Sequence, residues 1–323
     1  MNNFTELIDK KFAEFSDFHF NKEPKSLYEP LAYTMLSGGK RIRPQLALFA
    51  CKLFNGDIEK ALIPAYGVEL FHNFTLLHDD IMDNSEIRRG RPSVFKKFGL
   101  NAGILSGDLM MVLALKLSSE IDGIVHKELY DLMIETSVKL YEGQQYDVDF
   151  ETRNDVTQEE YLKMIELKTA VLLACSLKIG GIVAGASKKN LDKIYEFGRN
   201  IGLSFQIQDD YLDTFGDEQV GKKIGGDILN NKKTLLLISC LQKANVEQKV
   251  ALNNWLEVDD NEDAKVEAVS KLYIETGAKN YCENLSKEYF KKAIENLNEL
   301  ENVDEEARKQ LHKIAQLVIN REF

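Results

Sequence analysis

Two stretches of this chain end an apolar run in three closely spaced aspartates. In the first, Phe71, Phe74, Leu76 and Leu77 lead into Asp79, Asp80 and Asp83. In the second, Phe205 and Ile207 lead into Asp209, Asp210 and Asp213, 130 residues further on. No glycine or proline interrupts residues 68–89, and the apolar spacing predicts a helix there. On a helix, Asp79 and Asp83 stand one turn apart on the same face, with Asp80 beside them. Carboxylates packed this closely repel one another unless a cation lies between them. A few hard oxygen ligands suit Mg²⁺ that keeps several waters and is completed by phosphate oxygens. Basic residues follow each cluster: Arg88 and Arg89 after the first, and Lys222, Lys223, Lys232 and Lys233 after the second. Guanidinium groups are planar donors matched to phosphate. The pattern predicts one cavity with metal on both walls and a polyphosphate between them.

The bare spacing is weak by itself, because Asp259-Asp260-Asn261-Glu262-Asp263 has it too. That third copy lacks an apolar run before it and arginines after it. It opens a new periodic segment, where acidic residues belong at a helix start. A second basic locus is Ser37-Gly38-Gly39-Lys40-Arg41-Ile42-Arg43-Pro44, where cations cluster at a glycine-rich helix start. It reads either as a diphosphate seat or as a basic surface turn. His72 lies two turns before Asp79 on roughly the same face, which favours a phosphate contact over a core histidine; His78 is given no role. Lys168 and Thr169 sit in an apolar helical setting. A lysine there is costly to bury without an anion, unless it snorkels to the surface.

The elements that must carry these groups read as helices throughout. Residues 3–18 form an amphipathic stripe, residues 101–118 and 129–147 two further helices, and Thr157-x-x-Glu160 a capping box opening a third. Only five prolines occur, the last at Pro92, so the expectation is an all-α bundle with no inter-domain linker over residues 1–323. Gly216–Asn231 is a candidate lid over phosphates, and residues 242–265 the most tolerant surface segment. A net charge of −11 argues against nucleic acid and against attraction to an anionic membrane. The longest apolar run, Leu109–Leu115, is too short to span a bilayer. Four cysteines without metal spacing suit a reducing cytoplasm, and no signal peptide is evident.

Taken in order, the motifs resemble those of the trans-isoprenyl diphosphate synthases, the polyprenyl synthetase family. The resemblance rests on Gly39-Lys40 with Arg43-Pro44, the first aspartate cluster with Arg88-Arg89-Gly90, Gly107-Asp108, Gly143-Gln144 with Asp147, and Lys168-Thr169. It continues through Phe205-Gln206 with the second cluster, Gly221-Lys222, and Lys232 with Thr234. It implies a helical bundle around a deep central cavity, a homodimer, and Mg²⁺-dependent 1′-4 condensation of isopentenyl diphosphate with an allylic diphosphate. It implies that Asp79, Asp83 and Asp209 hold three Mg²⁺, with Asp213 as a further ligand and Asp80 and Asp210 in support. Arg88, Lys168, Lys222 and Lys232 would reach the allylic diphosphate. Lys40, Arg41, His72 and Arg89 would hold isopentenyl diphosphate, assisted by Arg43. Thr169 and Gln206 would face the allylic cation. Phe74 and Thr75, one turn before Asp79, would limit the tail to C15 to C20, and the first aspartate cluster lacks the two-residue insertion of bacterial farnesyl enzymes, which favours a C20 product over C15. Two rivals stand beside this reading: a class I terpene cyclase or head-to-head prenyl synthase, and a non-catalytic partner subunit of a heteromeric synthase.

Overall fold

A computed structural model describes residues 4–216, 224–258 and 261–320, as sixteen α-helices with two minimal β-ladders. The first half comprises α1 (Thr5–Phe20), α2 (Lys25–Met35), α3 (Ile42–Leu53), α4 (Ile58–Met82), α5 (Val94–Phe98), α6 (Leu100–Ser118) and α7 (Lys127–Thr152). Then come α8 (Gln158–Ile165), a π-helical turn (Glu166–Ala170), α9 (Val171–Val183) and α10 (Lys188–Phe215). The last part holds α11 (Gly226–Leu229), α12 (Leu235–Lys243), α13 (Val246–Leu256), α14 (Glu262–Glu275), α15 (Ala278–Asn298) and α16 (Glu305–Asn320).

The apolar helix α9 is buried almost all round and organises the rest. Its Leu172, Cys175 and Ile179 join the core formed with α4, α6 and α7, while Leu173 and Leu177 join a second core with α3, α10 and α16. A third core lies among α8, α10, α12, α14 and α15. Close approach needs glycine at two points. A Cβ on Gly180 would stand 2.0 Å from the Ala47 carbonyl oxygen, and one on Gly67 would stand 2.1 Å from the Ser118 nitrogen. A side chain at either point would push α9 from α3 or α6 from α4.

The predicted helices form, and so does the capping box: Thr157 N–H donates to Glu160 Oε2 (2.9 Å) and Glu160 N–H to Thr157 Oγ1 (3.2 Å). Three expectations need correcting. The helix expected over 68–89 stops at Met82, because Asn84 adopts a left-handed φ of 50°. The arginines therefore lie on a hairpin, β1 (Ile87–Arg88) against β2 (Arg91–Pro92), whose turn residues Arg89 and Gly90 both have positive φ. The segment 242–265 is not merely surface, since Leu252 and Lys265 are buried within it. Of the third aspartate-rich stretch, Asp259 and Asp260 lie outside the described residues, whereas Glu262 and Asp263 occupy the first turn of α14 as expected.

Candidate active site

α4 and α10 deliver the two aspartate clusters from their C-terminal ends, and each cluster divides its labour. Asp80 is buried and accepts from Arg88 Nε (2.9 Å) and Nη2 (2.5 Å), both on Oδ1. Burial raises its pKa and Arg88 opposes the shift. Asp79 is pushed up to about 6, by burial first, with Asp83 and Asp147 adding to the rise and Lys168 and Arg88 opposing it. Asp83 caps the helix and is exposed. In the second cluster Asp210 is the buried member. Its Oδ1 accepts from Gln206 Nε2 (3.1 Å) and its Oδ2 from the Tyr161 hydroxyl. Asp213 Oδ2 accepts the Asp227 N–H (2.8 Å), tethering α10 to α11. Asp209 is half-buried.

Lys168 and Thr169 occupy the π-helical turn, a distortion frequently found at functional sites. Gly143 lets α7 press against that turn, because a Cβ there would meet the Lys168 nitrogen at 2.3 Å. One turn further along α7, Asp147 pairs with Lys168 Nζ at 2.5 Å. Thr169 Oγ1 donates to Gln206 Oε1 at 3.0 Å, giving a relay from Thr169 through Gln206 and Asp210 to Tyr161. Lys232 lies 3.9 Å from Asp227. Burial disfavours its charge, but Asp210, Asp227, Asp147 and Asp213 outweigh that and raise its pKa. Asp147 thus raises the pKa of both Asp79 and Asp210, so it stands within electrostatic reach of both clusters.

At the start of α3, two arginines have different fates. Arg41, in a left-handed conformation, is buried, and its guanidinium is committed to Glu69 Oε1 (3.0 Å), Asp9 Oδ1 (3.3 Å) and the Met35 carbonyl (2.6 Å). That geometry engages the Arg41 guanidinium within the protein, unlike that of its neighbour two residues on. Arg43 instead leaves a buried Nε without a hydrogen-bond partner, and burial with Arg89 nearby pushes it down to about 10. Arg89 donates to the Gly38 carbonyl (2.6 Å) and Ser37 Oγ (3.1 Å). Gly39, at φ 132°, leaves no side chain to strike that guanidinium. His72 is half-buried among these arginines and held well below its ordinary pKa, by desolvation first and then by Arg43 and Arg89. Lys40, Arg43, His72 and Arg89 line a cavity of about 470 Å³.

Arg43 and His72 also line the adjoining tail pocket of about 520 Å³, which runs from Asp79 and Lys168 to an aromatic end. Phe74 meets His78 there (ring centroids 4.9 Å) and Tyr141 (6.2 Å), and Thr75 is part of the wall. His78 therefore has the place that sequence reasoning denied it. Gly107 makes room for its ring, since a Cβ would stand 2.2 Å from Nε2. Tyr161, Tyr141 and Glu69 were also missed. Only Glu69, four residues before Asn73 on a helix bearing His72, carried a polar signal within an apolar run. Lys222 lies outside the described residues.

The donor set fits Mg²⁺. Asp79 is a half-buried carboxylate crowded by like charge, and all the candidate ligands are hard oxygens. Among the described residues no three acidic, histidine or cysteine side chains converge on one point. Part of a cation's coordination would thus come from water or substrate.

Two aspartate clusters within reach of Asp147, and a cationic seat that shares Arg43 with an apolar pocket, suit an isoprenyl diphosphate synthase, a trans-prenyltransferase. The chain belongs to the polyprenyl synthetase family, whose model matches residues 24–273. It is 40% identical over 304 residues to a geranylgeranyl diphosphate synthase of Saccharolobus solfataricus, covering 92% of this chain and 91% of the relative. A crystal structure of a geranylgeranyl pyrophosphate synthase superposes with a TM-score of 0.90 at 39% identity, over 99% of both chains. Another, from Corynebacterium glutamicum and complexed with isoprenyl diphosphate and magnesium, superposes at 0.86 with 26% identity, over 99% of both chains. Prenyl synthases of this family are generally Mg²⁺-dependent and use isopentenyl and allylic diphosphates.

Proposed function

We propose that this chain makes geranylgeranyl diphosphate by adding isopentenyl diphosphate to C5, C10 and C15 allylic starters. The observation that carries the C20 length is the aromatic end of the tail pocket, where Phe74 backs onto His78 and Tyr141. The geranylgeranyl relatives support it. Isopentenyl diphosphate sits on Lys40, Arg43, His72 and Arg89, with Arg41 holding the seat in shape. Arg88, Lys168, Lys222 and Lys232 hold the allylic diphosphate, and Asp79, Asp83, Asp209 and Asp213 hold three Mg²⁺. When bound, the metal spreads the charge of the departing diphosphate. Lys168 and Arg88 add to that stabilisation as fixed cations. Thr169 Oγ and Gln206 Oε1 face the carbon that becomes positive, while the apolar tunnel excludes water.

α6 has the length and apolarity of a spanning helix. It packs on α4 through Gly103 and Gly107 and on α2 through Ser106, whose hydroxyl donates to the Leu27 carbonyl (2.9 Å), and it leaves Leu105 and Val112 exposed, as α7 leaves Val138. We assign that face to a second copy of the chain, forming a homodimer in the cytoplasm; the four free, buried cysteines suit a reducing compartment.

The test is product length from labelled isopentenyl diphosphate, Mg²⁺ and each starter. C20 is expected, and C25 or longer would discard the aromatic end. Phe74→Ala should lengthen the product by at least one C5 unit, and an unchanged product would remove Phe74 from the tunnel. In the seat, Arg43→Lys should raise the KM for isopentenyl diphosphate by about tenfold or more, through loss of a charge-assisted contact. Arg41→Lys should chiefly lower Tm.

A further inference from the structure

Behind the turn that carries Lys232 lies another cavity, of about 550 Å³, which the chemistry above does not use. Its floor is apolar, made by Val156, Leu237, Ile238 and Leu256; Asn231 and Lys233 stand over it. The Asn231 amide is oriented by Nδ2 donating to the Leu256 carbonyl (2.9 Å), which leaves a buried Oδ1 with no hydrogen-bond partner. Lys233 is half-buried. Its nearest acceptor is the Asn231 carbonyl at 3.4 Å, and among the described residues no carboxylate pairs with it. Burial lowers its pKa, with no carboxylate offsetting the shift. Glu257, on the rim, disfavours a multiply charged ligand.

A cation wants a negative charge, an orphaned acceptor wants a hydrogen-bond donor, and the floor wants an alkyl chain. A carboxylate at neutral pH lacks the donor, and a diphosphate adds charge beside Glu257. A singly protonated phosphate monoester supplies all three features. We propose that this cavity binds a phosphate monoester of an apolar alcohol: the phosphoryl oxygens on Lys233, the P–OH on Asn231 Oδ1 and the chain on the α12–α13 floor. Its occupant touches the residues on either side of Lys232, which itself faces Asp210, Asp213 and Asp227. A ligand that fits this arrangement holds the turn with Lys232 toward the aspartates, so it tightens diphosphate binding in the catalytic cavity, and the effect is reciprocal.

Trp255, the sole tryptophan, immediately precedes Leu256 of the cavity floor and serves as the probe of its occupancy. Decyl phosphate, titrated below its micelle threshold, should give a saturable change in Trp255 fluorescence. Inorganic phosphate and decanol, head and tail alone, should not. The response should persist in Asp79→Ala, whose catalytic site is disabled. It should weaken roughly tenfold or more in Lys233→Met and in Asn253→Glu, an exposed rim position where a new charge leaves folding intact. No response in the wild-type chain overturns the proposal. So does a response lost in Asp79→Ala but kept in Lys233→Met, which would place the ligand in the catalytic cavity. The coupling arm rests on the catalytic reading: the KM for the allylic diphosphate should fall several-fold with decyl phosphate present, and an unchanged KM alongside intact binding overturns the coupling.

Discussion

The two aspartate clusters share a spacing but not a means of support. Asp80 is held by one cation, with both Arg88 donors converging on a single oxygen, Oδ1. Asp210 is held by two neutral donors, Tyr161 and Gln206, one on each oxygen. Arg88 reaches Asp80 from an exposed hairpin, whereas Tyr161 reaches Asp210 from a core helix. On the proposed reading, the first wall releases its arginine toward an incoming diphosphate. The second is built as a fixed brace, continuous through Gln206 with Thr169. The same three-aspartate motif supplies an adjustable jaw on α4 and a rigid one on α10.

The largest effect should come from the first aspartate of each cluster, where the two jaws are equivalent. Asp79→Ala and Asp209→Ala should each lower kcat by at least about 10²–10³-fold, the scale expected for losing one preorganised electrostatic contact at a developing charge. A loss confined to one of them would mean that one wall alone carries the chemistry.

The next test separates the walls. Asparagine retains one acceptor, and that is all Arg88 uses on Asp80. At Asp210 the same change leaves either Tyr161 or Gln206 without an acceptor in a buried setting, at a cost of about 1–3 kcal/mol. Asp210→Asn should therefore reduce kcat by roughly 10–100-fold and lower Tm, while Asp80→Asn stays within about tenfold. The reverse order, measured by steady-state kinetics and thermal melts, would break the contrast.

What the sequence revealed follows from which contacts are local. The clusters, the arginines, Lys168-Thr169 and the helix caps could be read because each depends on residues within a few turns of one another. The fates of Arg41 and Arg43 could not, since two cations two residues apart in a glycine-rich turn look alike until Glu69, 28 residues away, claims one of them. The sequence hides the hairpin because no proline or glycine lies within residues 68–89, and the helix stop rests on an asparagine adopting positive φ, a minority habit of that residue. Tyr161 was invisible for a different reason. In sequence it is an ordinary apolar residue on an amphipathic helix, and only the packing of α8 against α10 turns its hydroxyl toward Asp210, 49 residues on.

Tyr161 also gives the smallest and most diagnostic test. Tyr161→Phe keeps the ring and the packing and removes one neutral hydrogen bond. Stability should fall by about 1 kcal/mol, and kcat by roughly three- to tenfold. Because Tyr161 acts through Asp210 and Gln206 rather than on a diphosphate, both KM values should hold while kcat falls. In the first jaw no single neutral contact can be removed in this way, since the Asp80 support is itself a cation, and the one assigned above to the allylic diphosphate. Arg88→Lys should accordingly move the KM for the allylic diphosphate along with kcat. If Tyr161→Phe raised KM and spared kcat, the tyrosine would be shaping the cavity rather than bracing an aspartate, and the rigid jaw would lose its rationale.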